Sequence, residues 1–114
     1  MTIVSTNNAE HYVWGDNCDG WHLLKNPSLH VIQESVPPGR SEQRHTHSVA
    51  QQFFFILTGH AIMELEGQDY PLSAGEGIHI AAGKPHQFKN PYNDPVEFLV
   101  ISNPTTRGDR NDLA

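Results

Sequence analysis

The chain has a single cysteine, Cys18, in 114 residues, so no intrachain disulfide is available to hold it together. It has no apolar run near the ~20 residues that a bilayer-spanning helix needs. Its N-terminus, Met1 to Asn8, has no basic region followed by an apolar stretch, so it does not read as a signal peptide. Basic residues are scarce: 7 Lys and Arg stand against 13 Asp and Glu, for a net charge of −6 with neutral His. Nucleic acids and anionic membranes need a basic footprint, so neither is expected as a partner. A reducing, cytoplasmic compartment is the expectation. Also missing is any long run with a 3.6-residue apolar period.

What the chain does have is punctuation. Its 8 prolines and 9 glycines separate short β-branched and aromatic runs, a rhythm that predicts an all-β sandwich or barrel. Hydrophobic residues make up 37% and charged residues 18%, enough apolar content to fold. The clearest strands are Leu29–Val36, Gln52–Thr58, Ala61–Glu66, Ile78–Ile80 and Val96–Ser102. Gln52, Phe54 and Ile56 should share one face, and Phe53 and Phe55 the other. Because both faces are apolar, this strand is expected to be covered on both sides. Residues 1–12 read as a loosely held arm or an edge strand, and 103–114 as an exposed polar tail. Trp14 and Trp21 flank a Gly-Asp-Asn turn. They are expected to plug a barrel end or cover a subunit contact rather than stack on a substrate. Cys18, in that turn, is expected to be structural or inert.

The chemistry concentrates between Gly39 and Gly59. His45 and His47 are two apart, so on a strand both imidazoles face one way, with Cα atoms about 6.6 Å apart. Gln52 opens the following strand and can bring an amide oxygen to the same point. Gln51 is an alternative, but the strand face favours Gln52. Histidine is also a common surface and capping residue, so this pair alone does not make a site.

A second segment adds weight. Gly39-x5-His45-x-His47-x4-Gln52-x6-Gly59, followed by Gly75-x5-Ala81-x-Gly83-x2-His86-x3-Asn90, resembles the two ordered motifs of the cupin family. The likeness covers Leu29 to Ser102. The flanks, Trp14-Gly15 with Gly20-Trp21 and Ser102-Asn103-Pro104 with Asp109-Arg110, are similar to small single-domain bacterial cupins, including those called mannose-6-phosphate-isomerase-like. The resemblance implies one domain over 1–114 with the antiparallel jelly-roll barrel, or double-stranded β-helix, of that family. It also implies one divalent transition metal (Zn, Fe, Ni, Mn or Cu) held by His45, His47, Gln52 and His86. Gln52 stands where the family usually has Glu, and Ala81 where it usually has Pro. With Gln, no ligand carries charge, so a divalent ion keeps its full +2 and attracts anionic oxygen ligands more strongly.

The expected function is an enzyme acting on a small oxygenated substrate, either sugar-isomerase-like or dioxygenase-like. The alternative is a binding or sensing cupin without turnover. No catalytic base stands out, and Glu34 and His79 are the only candidates. Arg40, Arg44 and Lys84 read as solvated surface charges, and His11, His22, His30, His60 and His79 as structural or exposed. A homodimer is expected, from the outward Phe53 and Phe55 and from the family's habit.

Overall fold

The computed structural model describes residues 3–113. It is all-β. The strands are β1 (Glu10–Trp14), β2 (Cys18–Lys25), β3 (His30–Val36), β4 (His45–Thr46), β5 (Gln51–Thr58), β6 (His60–Leu65), β7 (Gln68–Ser73), β8 (Gly77–Ile80), β9 (His86–Lys89), β10 (Val96–Asn103) and β11 (Asn111–Asp112). They form a six-stranded sheet in the order β1-β2-β3-β10-β5-β8 and a five-stranded sheet in the order β11-β4-β9-β6-β7. The named strand pairs are antiparallel.

Period-two patterning places the core between the sheets. In β10, Val96, Phe98, Val100 and Ser102 are buried, while Glu97, Leu99 and Ile101 are half-buried. In β5, Gln52, Phe54 and Ile56 are buried on the same inner face. The sheets meet through Phe54, Phe88 and Phe98. The Phe88 and Phe98 rings are stacked with centroids 4.0 Å apart, and Phe54 lies about 6 Å from both.

Two sequence expectations need correcting, and one open alternative is resolved. The outer face of β5 is not fully covered: Phe53 is 39% exposed and Phe55 half-buried. Phe53 finds part of its cover in its own sheet by lying across Gly77 of β8, where a Cβ would come within 2.4 Å of the ring. Of the two readings of residues 1–12, the edge strand holds for β1 (Glu10–Trp14), while Met1 and Thr2 lie outside the described residues. The C-terminal segment is not a free tail, because Asn111 and Asp112 pair with Thr46 and His45.

The two glycines that bracket the first motif do different work. Gly39 and Gly59 both have positive φ, 75° and 84°, which L side chains rarely adopt. A Cβ on Gly39 meets nothing within 4 Å, whereas one on Gly59 would lie 2.6 Å from the Pro95 carbonyl oxygen. Gly39→Ala should therefore cost only the left-handed backbone strain, roughly 1–2 kcal/mol. Gly59→Ala should cost clearly more, because backbone must also move. Urea unfolding of the two variants checks this, and equal losses would contradict it.

Candidate metal centre

The second motif meets the first through strand pairing. His45 in β4 sits directly opposite His86 in β9. His47 follows just beyond β4, where its carbonyl accepts a 2.7 Å hydrogen bond from the Gly83 amide, joining the two motif turns. The ring centroids of His45 and His86 are 4.3 Å apart, those of His45 and His47 4.8 Å, and those of His47 and His86 5.7 Å. One nitrogen from each ring lies within 4.8 Å of the others. All three residues are buried, at 2%, 4% and 1% exposure.

Hydrogen bonding settles which nitrogen each ring presents. His45 Nδ1 faces the Gln43 carbonyl at 2.8 Å, His86 Nδ1 the Lys84 carbonyl at 2.9 Å, and His47 Nδ1 the Asp109 carbonyl at 2.6 Å. A carbonyl oxygen can only accept, so each Nδ1 carries the proton and each Nε2 keeps its lone pair in the neutral ring. Burial, the largest cause, keeps the rings neutral by lowering all three pKa values, His45 to about 3.

The fourth expected residue approaches from the opposite sheet. Gln52 is buried and lines the same cavity as His45 and His47. Its Nε2 donates to Ser102 Oγ at 3.1 Å. Its Oε1 and the Nε2 of His86 are buried without any hydrogen-bond partner. An unsatisfied buried polar atom costs about 1–3 kcal/mol. An unpartnered Nε2 within the three-imidazole cluster suits a bound cation, and Gln52 Oε1, unpartnered in the cavity that His45 and His47 line, is a fitting fourth donor, so this set fits a metal. The three-imidazole and amide-oxygen chemistry suits a divalent transition ion.

The adjoining cavity, about 240 Å³, contains residues that the sequence did not single out. Tyr12, Glu42, Thr106 and Arg110 line it, together with the expected Gln52 and the guessed Glu34. The Glu42 carboxylate accepts from the Phe88 amide at 2.8 Å, and burial pushes its pKa up to about 8. Its acidic character three residues before His45 was the available signal. Trp14 also lines the cavity, with its indole N–H donating to the Asp19 carbonyl, so it forms part of the cavity wall. His79 is excluded as a base: it is exposed on the outer face of β8 and bonded to Gln51. Arg44 is no free surface charge, since it pairs with Glu64. Cys18 opens β2 as a fully buried core residue, and burial pushes its thiol up to about 11.

Asp109 ties the C-terminal segment to the site. Beyond its carbonyl contact to His47, its carboxylate accepts from the amides of Ser48, Val49 and Ala50 at 2.9–3.3 Å. Asp109→Ala should speed amide hydrogen exchange at these three residues and lower the thermal midpoint. Unchanged exchange there would show that the anchor is not needed.

The cupin domain family (Cupin_2) matches residues 32–102, a span that holds His45, His47, Gln52 and His86. The chain is 29% identical over 85 residues to the oxalate-binding protein of Thermotoga maritima, covering 70% of each chain. Its fold superposes on the polyketide cyclase RemF of Streptomyces resistomycificus with a TM-score of 0.87 at 19% identity, over 100% of this chain and 86% of that one. It superposes on a sugar phosphate isomerase of the cupin superfamily from Silicibacter pomeroyi with a TM-score of 0.79 at 20% identity, over 91% of this chain and 76% of that one. At such identities the two structural likenesses speak to the fold alone. With the family match over most of both sheets, and the histidines of both motifs brought to one point, the chain belongs to the cupin family.

Proposed function

We propose that this cupin holds one divalent transition metal with His45, His47, His86 and the Gln52 amide oxygen, and that it acts as an isomerase-like enzyme on a small anionic, oxygen-rich substrate in the adjoining cavity. The observation that carries this reading is the pair of unpartnered buried acceptors, Gln52 Oε1 and His86 Nε2, beside the other two imidazoles. When bound, such an ion supplies Lewis acidity toward a ligand oxygen.

The protein's own residues set what the site accepts. The four ligand side chains are neutral, so nothing in the set offsets cation charge and an anion is favoured. Trp14, Ile32, Phe54 and Val100 give the cavity an apolar wall for a carbon skeleton. The carboxyl groups of Glu34 and Glu42 on that wall favour proton transfer over the dioxygenase-like alternative. A second reading, binding without turnover, draws support from the oxalate-binding relative. A homodimer through the outer face of β5, where Phe53 is 39% exposed, completes the proposal, and a monomeric mass in sedimentation at micromolar concentration would count against it.

Elemental analysis of protein purified without chelator should find about one metal ion per chain, falling at least tenfold in His86→Ala while the circular dichroism stays β. Full retention of metal in that variant would remove His86 from the set. Gln52→Glu should keep the metal but weaken oxalate binding in calorimetry by at least about tenfold, ~1.4 kcal/mol. Equal oxalate affinity in the two proteins would remove the charge argument.

A further inference from the structure

The cavity that the histidines line holds a second set of polar groups. On the inner face of the six-stranded sheet, Tyr12 of β1 pairs with Gly20 of β2, which pairs with Glu34 of β3. Neighbouring strands are about 4.8 Å apart, so a side chain on β1 reaches one on β3 only if β2 puts nothing between them. Gly20 leaves that gap. A Cβ there would lie 2.2 Å from Tyr12 Cζ and 2.5 Å from its hydroxyl oxygen, so the ring lies across the glycine. The Tyr12 hydroxyl then donates to Glu34 Oε2 at 2.9 Å. Tyr12 and Glu34 both line the cavity that His45, His47 and Gln52 line.

The charged and titratable neighbours come from several elements. Tyr12 and the Arg110 guanidinium favour the Glu34 carboxylate, while desolvation, the largest effect, opposes it and pushes the group up to about 7. Glu42 and the Cys18 thiol also feel the Glu34 charge. The Tyr12 phenol is held well above its usual range by burial and by Glu34, so it remains a donor. A carboxyl group poised near neutrality can both take and return a proton.

We infer that Glu34 is a catalytic acid–base residue, that Tyr12 is its positioning residue, and that the substrate is a small enolisable oxo compound, an oxo acid or hydroxy ketone. This rests on the reading that the histidine end receives the substrate's oxygens. A cavity of about 240 Å³ has room for a small compound of this class. The C–H bond beside the carbonyl breaks and an O–H bond forms on Glu34. The C–H electron pair becomes the carbon–carbon π bond of the enolate, and the carbonyl π pair moves to oxygen as its negative charge. Once the Glu34 proton has exchanged with water, return of a solvent-derived proton to the same carbon gives wash-in; return to the neighbouring carbon of a hydroxy ketone, with the hydroxyl proton passing to the former carbonyl oxygen, gives isomerisation. Neither outcome needs an oxidant or reductant.

The test is deuterium wash-in from D2O into pyruvate and dihydroxyacetone, followed by proton NMR with the metal-loaded full chain and with free metal as control. The wild type should exchange at least one probe, and the isosteric Glu34→Gln should slow it by about 10²-fold at unchanged metal content. Tyr12→Phe should slow it less, by about tenfold, and move the lower limb of the pH–rate profile upward, because the lost hydrogen bond favoured the carboxylate. Gly20→Ala, which displaces the ring and alters neither group, should shift the profile the same way. In metal-free protein, carbon-13 NMR of the Glu34 carboxyl should show its titration midpoint rising in Tyr12→Phe. No wash-in of either probe by a stoichiometrically loaded wild type, or equal rates in Glu34→Gln, would overturn the acid–base role and leave the metal reading intact. A wild type that loads no metal would overturn the metal reading instead, and an unmoved Glu34 midpoint in Tyr12→Phe would overturn the pairing of the two side chains.

Discussion

Each of the three imidazoles is held by one main-chain carbonyl, and the rest of the site depends on those three contacts. Gln43 and Lys84 hold His45 and His86 from two residues upstream, so those rings are oriented by local backbone. Asp109 holds His47 from 62 residues away. With every Nδ1–H committed to a carbonyl, the Nε2 lone pairs have one direction left, into the cluster. Burial keeps the rings neutral, so those lone pairs stay available. A ring free to rotate or protonate would lose both properties together.

The long-range contact explains why the C-terminal segment belongs to the site. Asp109 combines a carbonyl that orients His47 with a carboxylate that takes the next three amides, Ser48 to Ala50. Those amides belong to the connection between β4 and β5, and therefore between His47 and Gln52. One residue thus sets the orientation of a ring and the path of the chain leading to the opposite sheet. Arg110, next in sequence, lines the cavity, and Arg110 Nε pairs with Asp112 at 2.8 Å.

The cavity brings together two kinds of group. The imidazoles and the Gln52 amide are neutral donors, with Glu42 Oε1 3.9 Å from His45 Nδ1. Along the wall stand Glu34 and Glu42, each pushed up by burial, to about 7 and about 8. The Glu34 charge also raises the Glu42 value, in the same direction as burial. Both carboxyl groups lie within residues 32–102, the span of the family match, while Tyr12, Trp14, Thr106 and Arg110 add to the lining from the flanks.

Strand alternation sufficed to place Gln52, Phe54 and Ile56 on one buried face and to aim His45 and His47 the same way, because such patterns are local properties of an extended chain, while His86 joined them through the resemblance of its motif to the cupin family. Composition made the fold class legible for the same reason. Other features depended on partners distant in sequence. That Tyr12 reaches Glu34 requires the β1–β2–β3 register and the missing side chain at Gly20, which no local pattern announces. That His79 faces outward follows from its pairing with Phe53 across β5 and β8. The segment after Asn103 reads as polar and free in sequence, yet its main-chain groups, which composition does not report, pair with β4 and hold His47. The sequence by itself determined which residues form the histidine cluster. Only the tertiary structure decided what holds those rings and what lines the cavity beside them, because those contacts join residues whose proximity exists only once both sheets have closed.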